Sequence, residues 1–145
     1  MKTYGLGALC GLAVLALAAG ARAQGSLPMD TPTQINGVET VCTGIGDEAQ
    51  NDPRWKAYPV RIEFSNEGAQ YLSGVHLTLS EGGKSLATLD CAGSWVLFKL
   101  ASGNYKVSAT LLAQPGGTPR SVSVSPPASG QQRFVIQFAG VMPNQ

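Results

Sequence analysis

The sequence predicts an all-β protein, a Greek-key sandwich of seven to eight strands in one domain. Three observations carry this. Beyond residue 34, apolar and polar residues alternate in short bursts, the period of a strand with one buried face. Turn residues interrupt each burst, drawn from 18 Gly and 9 Pro in 145 residues, and strands broken at such short intervals build sandwiches. No segment after residue 23 sustains the three-to-four spacing of an amphipathic helix.

Residues 1–23 stand apart. Lys2 places a charge at the start, an apolar run extends from Leu6 to Ala19, and Ala21-Arg22-Ala23 precedes Gln24. That order is the layout of a cleaved secretory signal peptide. A membrane anchor would need about 20 strongly apolar residues, whereas this run is rich in Ala and Gly and is closed by Arg22. A lipid-modified Cys10 fits poorly, because Leu9 stands where a small residue is expected and most of the apolar run follows the cysteine. Cleavage would leave 122 residues, with eight basic against nine acidic side chains. That length supports one domain with a core. The expected address is the periplasm or the extracellular medium. There is no basic stripe, so binding to nucleic acid or to an anionic membrane surface is not expected.

The elements follow in order. Residues 24–34 contain Gly25, Ser26, Pro28 and Pro32 and read as a flexible leader. The domain occupies 35–140. Its first strand covers 38–45. The second, 58–66, sets Val60, Ile62 and Phe64 against Arg61, Glu63 and Ser65. The third, 75–81, sets Val75, Leu77 and Leu79 against His76, Thr78 and Ser80. Gly82-Gly83 is a two-residue hairpin signal, with a return strand over 84–91. Residues 95–100 are apolar at nearly every position and read as a central strand covered on both faces, with Trp95 in the core. Strands over 105–113, 120–125 and 133–139 complete the set, and 141–145 reads as a loose tail. One short helical stretch fits at 47–55, where Asp52-Pro53 has the chemistry of a helix start.

Two cysteines remain after residue 23, Cys42 and Cys91. An even pair in an exported chain reads as a disulfide; two buried free thiols are the alternative. His76 is the only histidine, and no Cys-x-x-Cys pair exists, so a zinc centre is not expected. No cofactor is expected.

Residues 68–112 carry a further pattern. Gly68-Ala-Gln-Tyr-Leu72 leads to Val75-His-Leu-Thr-Leu79, a Gly-Gly turn, Thr88 to Cys91, Gly93-Ser-Trp95, and Leu100-Ala-Ser-Gly103-Asn-Tyr105-Lys-Val107. This resembles the carboxypeptidase regulatory-like domain, a transthyretin-like (prealbumin-like) β-sandwich, over roughly a third of the chain. The resemblance implies that Gly103 takes a positive φ in a tight turn and that Tyr105 buries its ring at the start of the next strand. Cys-Thr-Gly at 42–44 and Asp-Pro-Arg-Trp at 52–55 lie outside that general pattern and look similar to small exported bacterial proteins of this domain type. Such domains are usually modules attached to something else, which implies a separate protein partner here. A transthyretin-like fold can also hydrolyse 5-hydroxyisourate with a His-rich site and a C-terminal Tyr-Arg-Gly-Ser. This chain has one His and ends Val-Met-Pro-Asn-Gln, which argues against that activity.

The candidate chemistry is sparse. A Ser/His/Asp hydrolase would have to use His76, at an outward strand position, with a nucleophile and an acid in register. Asp47, Glu48 and Asp52 read as a solvated acidic turn, with a weak calcium site as the sharper alternative. Arg54, Trp55, Tyr58 and Tyr71 form a candidate ligand surface, or Trp55 plugs one end of the sandwich while Asp52 caps the turn and pairs with Arg54. The resulting expectation is a non-enzymatic exported module that binds or assists a protein partner. The alternatives are a carbohydrate-binding module using Trp55 and the nearby tyrosines, and a hydrolase with an unfamiliar site.

Overall fold

The computed structural model describes residues 25–142; the expected signal peptide lies outside the described residues. Among the described residues nine strands form two sheets. They are β1 Thr33–Ile35, β2 Val38–Thr43, β3 Val60–Asn66, β4 Val75–Glu81, β5 Lys84–Cys91, β6 Trp95–Phe98, β7 Tyr105–Leu111, β8 Arg120–Val124 and β9 Gln132–Phe138. One sheet has the order β1-β2-β6-β3-β9 and the other β5-β4-β7-β8. The chain thus crosses between sheets in the non-sequential order of a Greek-key sandwich. All neighbouring pairs are antiparallel except β3 and β9, which run parallel from Val60↔Gln132 to Asn66↔Phe138.

Alternation builds the core. Val60, Ile62 and Phe64 from β3 meet Val75, Leu77 and Leu79 from β4, with Leu89, Val96, Phe98, Val107, Ile136 and Phe138 around them. The β4–β5 hairpin turns on Gly82 and Gly83, at φ 57° and 78°, the left-handed pair that a two-residue turn requires. β6 is buried at all four positions, as its unbroken apolar run predicts. It lies between β2 and β3.

Two expectations need correction. The first concerns residues 24–34, read as a flexible leader. Among the described residues of that segment, Leu27 is buried, and its N–H donates to the Asp90 carbonyl at 2.9 Å. The Asp30 N–H donates to the Cys42 carbonyl at 2.8 Å, and Thr33 opens β1. Leu27 and Met29 supply the apolar anchors that hold an otherwise Pro- and Gly-bearing segment down. In the tail, Val141 likewise packs against the core. The second correction is at Gly103, whose φ is not among the positive values. What it provides is room, since a Cβ there would lie 3.2 Å from the Tyr105 ring. Tyr105 is half-buried and donates to the Ala101 carbonyl at 2.9 Å.

Cys42 and Cys91 form a disulfide with their Cα atoms 5.5 Å apart. It joins β2 to β5 and so fastens one sheet to the other along one flank. Gly93 lies against both sulfurs through its N–H, at 3.4 and 3.3 Å, and a Cβ there would collide with the Thr43 carbonyl. The bridge spans 49 residues; the chain-entropy model gives about 4 kcal/mol for a loop of that size, as an upper value. Reduction should therefore lower stability by up to about 4 kcal/mol, read as a shift of the urea midpoint with and without reductant. An unchanged midpoint would show that the bridge does not constrain the unfolded chain.

Candidate functional site

The five-stranded sheet has an outer face, and strand alternation decides what lies on it. Val41 from β2, Trp95 and Leu97 from β6, and Arg61, Glu63 and Ser65 from β3 all point away from the inter-sheet core. Three of these six are large and apolar, so the face must be covered.

A short segment after β2 covers one half. Helix α1, Asp47–Gln50, is followed by a 3-10 helix, Pro53–Ala57. Asp52 caps the latter, accepting from the Arg54 N–H at 2.9 Å, and Pro53 opens it with a pre-set φ. This start turns Trp55 and Tyr58 down onto Val41 and Leu97; both rings are only 3% exposed. The indole N–H of Trp55 donates to the Ala49 carbonyl at 2.9 Å, and the Tyr58 hydroxyl to Glu39 at 2.7 Å. The Gln131 amide ties the segment down by donating to the carbonyls of Trp55 and Tyr58. Burial first, then the Glu39 hydrogen bond, drive the Tyr58 pKa well above that of free tyrosine. Glu39 moves down in return, through Tyr58 and then Lys99.

The expected ligand surface of Arg54, Trp55, Tyr58 and Tyr71 is therefore not brought together. Trp55 and Tyr58 present no exposed ring, because the outer face of β2 and β6 needs them as cover. Arg54 stacks on Trp55 at 4.5 Å and pairs with Asp52 at 2.8 Å, while Tyr71 lies on the other half of the face. The calcium expectation at Asp47, Glu48 and Asp52 is also corrected. Both Asp52 oxygens are engaged by Arg54, and among the described residues no three His, Cys, Asp or Glu side chains are grouped to hold a metal ion. His76 stands on the outer face of the four-stranded sheet, its Nδ1 2.6 Å from Asp90. Among the described residues no hydroxyl or thiol is hydrogen-bonded to the His76 ring.

The other half of the outer face holds a charged cluster that sequence reasoning missed. Glu63, 1% exposed, lies opposite Trp95 on β6 and Val135 on β9. Its Oε1 accepts from the Tyr71 hydroxyl at 2.7 Å. Its Oε2 lies 2.9 Å from Arg61 Nε and 3.1 Å from Arg133 Nε. The Arg61 guanidinium covers the Trp95 ring at 4.4 Å, and Tyr71 meets that ring edge-on at 6.0 Å. Trp95 is thus buried, as expected, but under its neighbours' side chains and not between the sheets. Its indole N–H has no partner in hydrogen-bond geometry, although it lies close enough to the Tyr71 hydroxyl to oppose the rise in that group's pKa. Burial and then Glu63 cause that rise. Beside the cluster is a hollow of about 300 Å³ lined by Glu63, Ser65, Tyr71, Arg133, Val135 and Gln137. At its rim Ala69 is held at φ 58°, a region that disfavours a Cβ, in a turn closed by Asn66 and Gln70.

No family model matches this chain, and no curated protein matches it. Among solved structures, the 5-hydroxyisourate hydrolase of Klebsiella pneumoniae is similar at 18% identity with a TM-score of 0.38, covering 58% of this chain and 84% of that chain. The sandwich described here rests on its own strand pairing.

No helix among the described residues is long and apolar enough to cross a membrane. The raised pKa values of Tyr58 and Tyr71 set a pH dependence. The folded state holds these protons more tightly than the unfolded chain, so their contribution is complete below about pH 10 and is lost as pH rises above it. Melting temperature should fall less steeply above about pH 10 in Tyr71→Phe than in the parent. Identical alkaline slopes would show that Tyr71 is not held by burial and the Glu63 bond together.

Proposed function

We propose that this chain is an exported, non-enzymatic binding or accessory module that engages a protein partner along the flank formed by β8 and β9. One observation supports this reading above others. Among the described residues, β8 pairs only with β7, and β9 only with β3. The two unpaired edges lie side by side, separated by a furrow of about 460 Å³ lined by Arg120, Ser121, Val135 and Gln137. On the opposite flank β1 and β5 are also edge strands, but there the Leu27 N–H and the Asn36 amide donate to the β5 carbonyls of Asp90 and Leu86, and the disulfide joins β2 to β5. An unpaired edge offers backbone donors and acceptors to an incoming strand. On this flank one such acceptor, the Gln137 carbonyl, is occupied by the Arg120 side chain at 3.1 Å.

The same reading places the chain in the periplasm or outside the cell, where a disulfide persists. His76 with Asp90, and without a bonded nucleophile, is the support for a binding role over hydrolysis.

A photo-reactive side chain at Ser121 on β8 tests the proposal against one at Ser85 on β5. The expected result is one discrete protein adduct at Ser121, competed away by excess unlabelled domain, and none at Ser85. Equal labelling at both positions, or none at Ser121, would overturn the edge as the binding surface.

A further inference from the structure

The hollow beside Glu63 shares Val135 and Gln137 with the β8–β9 furrow, but its features as a ligand site do not rest on the edge reading. Arg61 and Arg133 are direct neighbours in register across β3 and β9. Two like charges side by side repel, and here one buried carboxylate oxygen lies at ion-pair distance from both Nε atoms, outside hydrogen-bond geometry. The ion pair and the Trp95 ring draw the Arg61 guanidinium onto the face, the ion pair draws in Arg133, and the terminal nitrogens of both make no side-chain ion pair among the described residues. The cluster carries two cations against one anion. A planar guanidinium fork matches a carboxylate through two parallel hydrogen bonds, with more geometric selectivity than an ammonium. Arg133, with a side chain 58% exposed, opens onto the hollow.

The rest of the lining suits hydroxyl groups. Ser65 and Gln137 are paired in register one pleat along from Glu63 and Val135. Same-face neighbours on a strand are about 7 Å apart, comparable with the width of a pyranose ring. Tyr71, 42% exposed, supplies an aromatic wall, and its hydroxyl bond to Glu63 fixes the ring. A hollow of about 300 Å³ accommodates one monosaccharide unit.

We propose that this hollow binds the uronate unit of an acidic saccharide. The carboxylate takes the terminal nitrogens of Arg133, with Arg61 adding charge, and the ring hydroxyls meet Ser65 and Gln137 against the Tyr71 ring. Glu63 is a positioning residue that orients the arginines and does not touch the ligand's carboxylate.

The two tryptophans provide the test. The Trp95 indole N–H is buried without a partner inside the cluster, whereas that of Trp55 is bonded to Ala49 in the plug. In a proton–nitrogen NMR titration of the disulfide-bonded domain, galacturonate should shift the Trp95 indole resonance and leave that of Trp55 in place. The expected dissociation constant is about 1 mM or tighter, with galactose at least tenfold weaker. Arg133→Ala should weaken galacturonate binding at least tenfold, and Arg133→Lys should not restore it. The exposure of Arg133 makes both variants compatible with folding, which their unshifted Trp55 resonance would verify. Inorganic phosphate, an anion, and diglycine, a zwitterion that presents a peptide carboxylate, serve as competing ligands. A Trp95 shift of equal midpoint with phosphate, with diglycine or with galactose would overturn a uronate site, as would no shift with galacturonate. None of these results depends on a protein partner at the β8–β9 edge.

Discussion

The five-stranded sheet has two faces, and the second sheet covers only one. Val41, Leu97 and Trp95 stand on the other, where water would meet them. The remaining outer-face features follow from that constraint. Segment 47–58 exists as a short helix and a 3-10 turn because Trp55 and Tyr58 must reach Val41 and Leu97. A fully buried aromatic side chain removes some 150–250 Å² from water, worth roughly 4–6 kcal/mol each as an upper bound. Trp95 is covered differently, by the Arg61 guanidinium and the Tyr71 ring. Polar cover leaves hydrogen-bonding groups at the surface, and that is why chemistry gathers on this half and not on the plug.

The flanks of the sandwich differ in the same way. On one side the disulfide joins β2 to β5, and residues 26–36 lie along the seam with Leu27 and Met29 packed inward. On the other, β8 and β9 come together without pairing, bridged by Arg120. The parallel β3–β9 pairing connects this flank to the charged cluster. Arg133 and Gln137 belong to the edge strand, yet they project onto the outer face beside Glu63 and Ser65. A partner strand added to β9 would extend the same sheet past the hollow.

Much of the fold was legible in the sequence because alternation and turn residues are local signals. Val60-Ile62-Phe64, the Gly82-Gly83 turn and the apolar run from Trp95 each fixed an element within a residue or two. The Cys42–Cys91 pair followed from counting. The leader was misread because its anchors, Leu27 and Met29, are single apolar residues among Pro and Gly, with no periodicity to reveal them. The candidate site was hardly legible. Arg61 and Glu63 looked like an ordinary solvent face, since their burial depends on Tyr71 arriving from the turn at 66–70 and on Arg133 arriving through a parallel pairing. Neither contact leaves a spacing pattern. Trp55, Tyr58 and Tyr71 drew attention as aromatic residues, but only the three-dimensional arrangement shows that two of them are cover and one is a wall.

Trp95 tests the central claim, that a charged network and not a second sheet shields this part of the outer face. Trp55→Phe would leave Trp95 as the single tryptophan after residue 23, and acrylamide quenching of its fluorescence reads its accessibility. Strong protection is expected in this variant, and a rise to near-free quenching is expected when Arg61→Ala is added. Ready quenching with Arg61 still present would contradict the account.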